Sequence, residues 1–372
     1  MTPDRLDIVL CSLESWDDVW RRNQLLVAEI IRARPSTRVL FVEPAADLLH
    51  SARRTELPRQ LGLRKVHPHV WAFRPYKVWP RAVAGLNVDI ALGERVLRAA
   101  RRIGMDDHVL WVNDTSYAIM AATSNGPVIY DITDDWLQAS GTPRSVLRRR
   151  LEHAAMLGTA HRVSVVSESL ARDAGRARSV ARIPDAVDLE HFQRSQPRPD
   201  DLPAGDYVTY IGTLHSERID VDLCADIAQH IAPASFVLVG PDALEDRHRR
   251  HLTDAGCIIL GARPYSRVPA YYQHAGVIAV PHVVTPFTES LDPIKLYECL
   301  AVGRPTISTA VSGMRDAGPP IEIASRDTFA VRTRELLMSR LPSNPRTAPT
   351  WADRAADMLK LIDEARESTR ST

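Results

Sequence analysis

Lys295 and Glu298 are the two charged side chains in Ile294-Lys295-Leu296-Tyr297-Glu298-Cys299-Leu300-Ala301-Val302, a stretch otherwise apolar. Three residues apart, they project together from one side of a helix. Asp292-Pro293 ahead of them reads as N-cap and first helical position, because proline has no amide to leave unsatisfied there. Gly303 and Pro305 close the helix about three turns later. A lysine in the first turn opposes the helix macrodipole, which favours anions at that end. The placement makes sense if the helix amides and Lys295 together hold a phosphate. Glu298, one turn deeper, can then accept hydrogen bonds from the two hydroxyls of a ribose. The competing reading is a surface i,i+3 ion pair of small energy. The helix alone leaves both open. A cap at Asp292 and a proline without an amide both weaken anion binding at this helix end. A phosphate would therefore lean more on the amides of Ser290 and Leu291 and on cations.

A second such place is the run Tyr207-Val208-Thr209-Tyr210-Ile211-Gly212, which reads as a strand, with Arg218 in the loop behind it. A strand that ends in glycine and is followed by a cation lets a phosphate meet backbone amides and a guanidinium together. Pairing of Arg218 with Glu217 or Asp220 is the plainer alternative. In the first half of the chain, Asp131-Ile132-Thr133-Asp134-Asp135-Trp136 follows a strand at the end where α/β folds bind ligands. Asp134 and Asp135 could position an acceptor hydroxyl there, although Thr133 or Asp134 equally reads as a helix cap. Asp17 and Asp18, with Arg21 and Arg22 behind them, are expected to face the same crevice. His248 with His251, and His67 with His69, have no carboxylate or Cys partner nearby, and a solvated role suits them better than metal binding. Thr142-Pro143 opens a helix with Arg144, Arg148 and Arg149 on one side and Val146, Leu147 and Leu151 on the other. Such a helix can rest on anionic lipid, or its arginines can simply be solvated.

The elements that must carry these residues fall into two sets. At 372 residues the chain is long enough for two domains, and 45% hydrophobic with 25% charged residues is the composition of a water-soluble globular protein. A net charge of +1 argues against nucleic acid as a partner. Residues 1–195 hold 28 Lys and Arg against 23 Asp and Glu, and the remainder 19 against 23. Cys11, Cys224, Cys257 and Cys299 are scattered, which points to neither a disulfide framework nor a zinc site and suits a reducing cytoplasm. The apolar run near Met1 is too short for a signal peptide, and none elsewhere is long enough for a membrane span.

Strands are expected at Asp7–Leu13, Arg38–Pro44, Trp71–Phe73, Val109–Val112, Pro127–Asp131 and Arg162–Val166. This opening is Rossmann-like but lacks the GxGxxG fingerprint, so no dinucleotide is expected at its crevice. Residues 45–70 and 74–90 show no regular pattern. A proline-rich stretch, Gln196–Pro203, reads as a linker. A second strand set follows at Tyr207–Gly212, Ser235–Gly240, Cys257–Gly261, Val277–Pro281 and Thr306–Thr309, and Trp351–Glu367 reads as a terminal helix.

Glu298-Cys299-Leu300-Ala301-Val302-Gly303-Arg304-Pro305 resembles the second half of the donor-binding signature of GT-B glycosyltransferases of the GT4 type. Ile183-Pro184-Asp185-Ala186-Val187-Asp188 through Phe192 resembles their domain-boundary run. The resemblance is close in the C-terminal half and holds only in outline in the N-terminal half. It implies an α/β fold of two Rossmann-like domains, with a C-terminal helix crossing back to the first. The domains would be 1–192 on the acceptor side, a linker at 193–204, a nucleotide-sugar domain at 205–345 and the returning helix at 346–372. Glu298 would bind the ribose, and Arg218 and Lys295 would act on the diphosphate. Gly212, Glu289, Ser290 and Leu291 would lie along the donor, and Arg263 would cover the base. The signature's first glutamate falls at Ser290, with Glu289 adjacent, and Thr213 stands where an arginine often stands.

The implied activity is transfer of a hexose from a nucleoside-diphosphate sugar, with retention and without a metal ion or other cofactor. The acceptor would be a glycan, a lipid-linked glycan or a small molecule. The expected place is the cytoplasm, with peripheral contact at the inner face of a membrane. The alternatives are a GT-B nucleotide-sugar epimerase and a non-catalytic GT-B subunit that binds a nucleotide or a partner.

Overall fold

The computed structural model describes residues 5–49, 60–79, 85–138 and 141–370. The irregular stretches 45–70 and 74–90 therefore lie partly outside the described residues. The chain forms two compact units. Unit 1 comprises residues 1–17, 21–184 and 352–372, and unit 2 comprises residues 18–20 and 185–351.

Unit 1 is built on an eight-stranded sheet. Its strands are β1 (Leu6–Cys11), β2 (Thr37–Val42), β4 (Gly62–His67), β5 (Val70–Arg74), β7 (Val109–Val112), β8 (Val128–Ile132), β9 (Arg162–Val165) and β10 (Ala181–Arg182). The order across the sheet is β10-β9-β8-β7-β1-β2-β5-β4. Ile8 lies opposite both Val39 and Val109, so β1 is the central strand, and all six of its residues are buried. Every pairing is parallel except β4 with β5. A short separate pair, β3 (Ala46–Asp47) with β6 (Tyr76–Lys77), completes the strands of this unit. Parallel strands covered on both faces read as continuous apolar runs, which is why the sequence shows them. The edge strand β4 carries Arg64, Lys65 and His67 and shows no such run.

Helix Leu86–Arg102 buries Val88, Leu92, Val96, Ala99 and Ala100 in the same core. The terminal helix Trp351–Arg370 belongs to unit 1 from Ala352 onward. There Asp363 accepts a hydrogen bond from Arg34 at 3.0 Å and Glu364 one from Arg162 at 3.3 Å.

Unit 2 carries a six-stranded parallel sheet of β11 (Tyr207–Ile211), β12 (Ser235–Val239), β13 (Cys257–Gly261), β14 (Val277–Val280), β15 (Thr306–Ser308) and β16 (Ile321–Ile323). Its order, β13-β12-β11-β14-β15-β16, reverses direction between β11 and β14. That reversal opens a crevice at the carboxyl ends of these two strands, the usual ligand position in open α/β sheets. β11 is buried on both faces: Val208 and Tyr210 enter one core, Tyr207 and Ile211 the other. The mixed α/β class, two sheets that are parallel but for the edge strand β4, and the returning helix agree with the fold expected from the sequence.

The proline-rich stretch is bonded onto unit 2 along its length. The Gln196 amide donates to Gln273 Oε1 at 2.9 Å, and Asp201 takes hydrogen bonds from Arg263 and Tyr271.

Candidate active site

Beyond the ends of β11 and β14, a set of polar side chains meets the helix Ile294–Val302. Gly303 closes this helix with φ +70°, as a left-handed C-terminal residue should. A Cβ there would lie 2.2 Å from the backbone of Asn344 and Pro345, so only glycine admits that crossing segment. The N-terminus differs from the expected one. Pro293, with ψ 120°, is the N-cap, and the helix begins at Ile294. The Asp292 carboxylate is not the cap of this helix. It accepts hydrogen bonds from Tyr297 Oη at 2.9 Å and from the Asp185 amide, tying the segment at residue 185 to the helix. The Leu296 amide bonds the Pro293 carbonyl at 2.9 Å, which leaves the amides of Ile294 and Lys295 as the ones at the helix entrance.

Lys295 turns its ammonium toward Gly212. A Cβ built on Gly212 would stand 2.5 Å from Lys295 Nζ, 2.6 Å from Cε and 3.0 Å from Tyr210 Oη. The missing side chain is therefore what admits the lysine. Nζ lies 5.3 Å from the centre of the Tyr210 ring, a cation–π distance. Among the described residues it has no hydrogen-bond or ion-pair partner. Tyr210 Oη in turn meets Nε2 of the buried His282 at 3.2 Å. Glu298 points elsewhere and accepts a hydrogen bond from Tyr272 Oη at 2.9 Å. The i,i+3 ion pair is thus not formed, and both charged groups are half-buried.

Electrostatics follow from that burial. Desolvation lowers the Lys295 pKa, with the Arg218 guanidinium adding to the effect and Glu298 opposing it. Desolvation raises the Glu298 pKa, against the pull of Lys295 and of the Tyr272 hydrogen bond. His282 is held well below its ordinary value by burial and then by Lys295 and Arg218. Arg218 thus belongs to the same cluster, with its guanidinium carbon 5.8 Å from the Phe287 ring centre. Asp220, its alternative partner, caps the next helix at Leu223 and pairs with Arg326 at 2.7 Å. Two cations, the glycine ends of β11 and β12 and one carboxylate therefore gather at the switch point. An anion with a hydroxylated appendage fits that arrangement.

Other expected contributors are placed differently. Ser290 and Leu291 are buried, and their amides donate to Phe287 O at 3.2 Å and Thr288 O at 3.4 Å, closing the 3₁₀ turn Thr288–Ser290. In this structure both amides are engaged by the turn. Glu289 forms a two-oxygen pair with Arg315, at 2.6 and 2.8 Å. Arg263 donates to Asp201, Tyr271 Oη and the carbonyls of Leu260 and Ala262. With every nitrogen engaged, it fastens the proline-rich stretch to β13.

In unit 1, Asp131 is wholly buried and accepts from Trp111 at 3.2 Å, Asn113 at 3.1 Å and Ser164 at 2.8 Å. Arg22 lies 3.6 Å from it and donates to the Ile183 and Pro184 carbonyls. Asp134 and Asp135 sit in the turn that follows β8. They are not the cap of the next described helix, Pro143–Thr159, which Thr142 caps. Asp135 accepts from the Leu137 amide at 3.1 Å, and burial raises its pKa. Asp17 is exposed and pairs with Arg21 at 3.3 Å, and the carbonyl of the exposed Asp18 accepts from the Tyr265 amide.

Sequence reasoning missed Tyr210, Tyr272 and His282, whose apolar surroundings made them look like core. It also missed Glu14, whose pKa burial raises to about 7.

Residues 205–338 match the family model of glycosyl transferases group 1. Over 333 residues the chain is 23% identical to the putative teichuronic acid biosynthesis glycosyltransferase TuaH of Bacillus subtilis (strain 168), covering 82% of this chain and 80% of that protein. Its fold is similar to that of Anabaena HepE solved with UDP and glucose, with a TM-score of 0.63 at 13% identity over 99% of this chain and 100% of the other. A UDP-forming α,α-trehalose-phosphate synthase from Burkholderia xenovorans gives a TM-score of 0.60 at 12% identity over 98% and 96%. The fold is that of GT-B glycosyltransferases, and residues 205–338 are similar to the glycosyl transferases group 1 family.

Proposed function

We propose that the chain moves a hexose from a nucleoside-diphosphate sugar to a hydroxyl acceptor, with retention of configuration. The observation that carries this reading is the Lys295 ammonium, set against the bare Cα of Gly212 with no ion-pair partner among the described residues. Desolvation works against that charge until an anion arrives. The donor diphosphate supplies the anion, and its charge grows as the glycosidic bond breaks. Lys295, Arg218 and the first amides of helix Ile294–Val302 then act as a fixed electrostatic cradle for the leaving group. The two cations take the place of a metal ion. Glu298, held by Tyr272, accepts hydrogen bonds from the ribose. HepE complexes with UDP and with UDP-glucose support a nucleotide-sugar donor by likeness of fold.

The buried thiols of Cys11, Cys224, Cys257 and Cys299 are free and suit a cytoplasmic enzyme. No helix among the described residues is long and apolar enough to cross a membrane. Helix Pro143–Thr159 exposes Leu147 and Leu151 beside Arg144 and Arg150. We read this as a face for an anionic bilayer, which would bring the enzyme to a lipid-linked acceptor.

Thermal-shift screening of nucleoside-diphosphate sugars tests the donor reading. A donor at 100 times its Kd should stabilise by about 2.7 kcal/mol, and Lys295→Ala should abolish most of that gain. Absence of any stabilising nucleotide sugar would overturn it.

A further inference from the structure

Lys295 sits where its own charge would not hold it. No hydrogen bond or ion pair engages it among the described residues, and the nearby Arg218 guanidinium repels it. A flexible four-carbon stem in that situation turns its ammonium out to water. Here Nζ stands instead 5.3 Å from the centre of the Tyr210 ring, beside the bare Cα of Gly212. A cation over an aromatic face is attracted by the ring quadrupole, and more strongly where water is excluded. Tyr210 is 1% exposed and belongs to the core that holds Leu214, Ile219 and Phe236, so the ring itself is fixed.

His282 braces that ring. Its Nε2 meets Tyr210 Oη at 3.2 Å, with the two rings edge-on and 5.8 Å between centres. The backbone of His282 is held in turn, since its amide donates to Val280 O at 3.0 Å and its carbonyl accepts from Thr309 Oγ1 at 2.7 Å. Nδ1 is buried and has no hydrogen-bond partner among the described residues. A bare lone pair is tolerated there better than an unpaired N–H, so the proton belongs on Nε2, which donates to Oη. Burial, with Lys295 and Arg218, keeps the imidazole neutral. It steadies the ring without adding a third cation.

We propose that Tyr210 is a positioning residue of the donor site: its ring face, braced by His282, holds the Lys295 ammonium over Gly212 before a diphosphate arrives. Tyr210 acts through the lysine and not on the substrate. The ordering that Lys295 would otherwise undergo on binding is already complete in the empty protein, which is how preorganisation adds affinity. The inference rests on the donor reading for its purpose, whereas the ring contact is a property of the empty protein. Tyr210, Gly212, Arg218, His282 and Lys295 all belong to unit 2.

The experiment uses the full chain labelled with ¹³C at the lysine ε-carbons and read by ¹H–¹³C NMR. The chain has four lysines, Lys65, Lys77, Lys295 and Lys360, and Lys295→Arg identifies the signal of interest. Protons over an aromatic face resonate upfield. In the empty parent the Lys295 ε-protons should therefore lie upfield of those of Lys77 and Lys360, as those of Lys65 over Trp71 also can. Tyr210→Leu should remove that displacement and weaken UDP binding about fivefold, with uridine affinity unchanged. Tyr210→Phe and His282→Leu keep the ring face and lose the brace, so each should retain the displacement in part, and Tyr210→Phe should bind UDP more tightly than Tyr210→Leu. The proposal is overturned if the empty parent shows no upfield displacement, if Tyr210→Leu leaves it in place, if Tyr210→Phe loses as much of it as Tyr210→Leu, or if Tyr210→Leu binds uridine and UDP equally worse. UDP, unlike uridine, should also move the Lys295 signal of the parent. UDP binding that leaves the signal still would count against the donor reading alone, because the displacement in the empty protein reports the ring contact without any ligand.

Discussion

Replacing Gly212 by alanine tests the geometry of the donor site more sharply than removing the lysine does. The new Cβ would stand 2.5 Å from Lys295 Nζ and 2.6 Å from Cε. Non-bonded heavy atoms settle at about 3.5–4.0 Å, so the ammonium must retreat by about 1 Å. The tip of a lysine moves easily and the fold survives, with backbone strain at φ +156° adding about 1 kcal/mol. The retreat removes a charge-assisted contact to the diphosphate, worth about 1.5–3 kcal/mol. UDP should then bind roughly 10- to 150-fold more weakly by calorimetry, while uridine should lose little. A cycle with Lys295→Ala isolates the cause, because groups acting through one contact are not additive. The double variant should bind UDP no worse than Lys295→Ala alone. Unchanged UDP affinity in Gly212→Ala, or fully additive losses, would refute the account of glycine as the opening for the lysine.

Four other measurements follow. Glu298→Gln should weaken UDP binding by about 1–3 kcal/mol, and equal affinities in a folded variant would remove Glu298 from the ribose. Arg218→Ala should cost far more affinity for UDP than for uridine; equal losses would place its guanidinium away from the diphosphate. Glu14→Gln should change stability with pH. Burial, opposed by Arg21, the Asn23 amide and Arg22 and aided by Asp134, lifts the Glu14 pKa from 4.5 to about 7. Its folded form holds the proton more tightly, so the parent loses stability between those pH values while the glutamine variant does not. The variant's relative gain should grow from pH 4.5 to pH 8 by roughly 3 kcal/mol at most, and a gain independent of pH would contradict this. Anionic vesicles should co-sediment with the parent at low salt and release it as salt rises. Arg148→Glu/Arg150→Glu should bind less; no binding at low salt would favour an acceptor free in solution.

Much of the fold was legible because buried parallel strands are local signals. Val9-Leu10 and Phe236-Val237-Leu238-Val239 declare themselves without reference to any distant residue. Gly303 could be read the same way, since a helix end is written in adjacent residues. The site was legible only where a residue contradicted its own neighbourhood, as Lys295 does in the first turn of an apolar helix. What the sequence did not show were partners that lie far along the chain. Arg263 looked available for a base until Asp201 and Tyr271 engaged it. Glu289 looked adjacent to a motif position, but Arg315 holds it. Arg149 looked like a member of a surface face, yet it lines a cavity of unit 1.

The contrast between Arg22 and Lys295 shows how the two kinds of charge can be told apart once coordinates exist. Arg22 is almost wholly buried, and its guanidinium meets two carbonyls and the Asp131 carboxylate. Those contacts compensate its desolvation within the protein, so removing Arg22 would strand Asp131 and damage the fold. Lys295 is also desolvated, but it has a ring face, a bare Cα and a carboxylate one turn away that is engaged by Tyr272. Among the described residues the Tyr210 ring face and the Glu298 charge offset it in part, but no hydrogen bond or ion pair holds it. A charge so placed lowers the stability of the empty protein and favours the bound one by the same interaction, which is how a binding site stores selectivity for an anion. His282 and Tyr210 fit the same logic. They give the lysine a neutral floor, which neither pairs with the ammonium nor competes with the diphosphate for it.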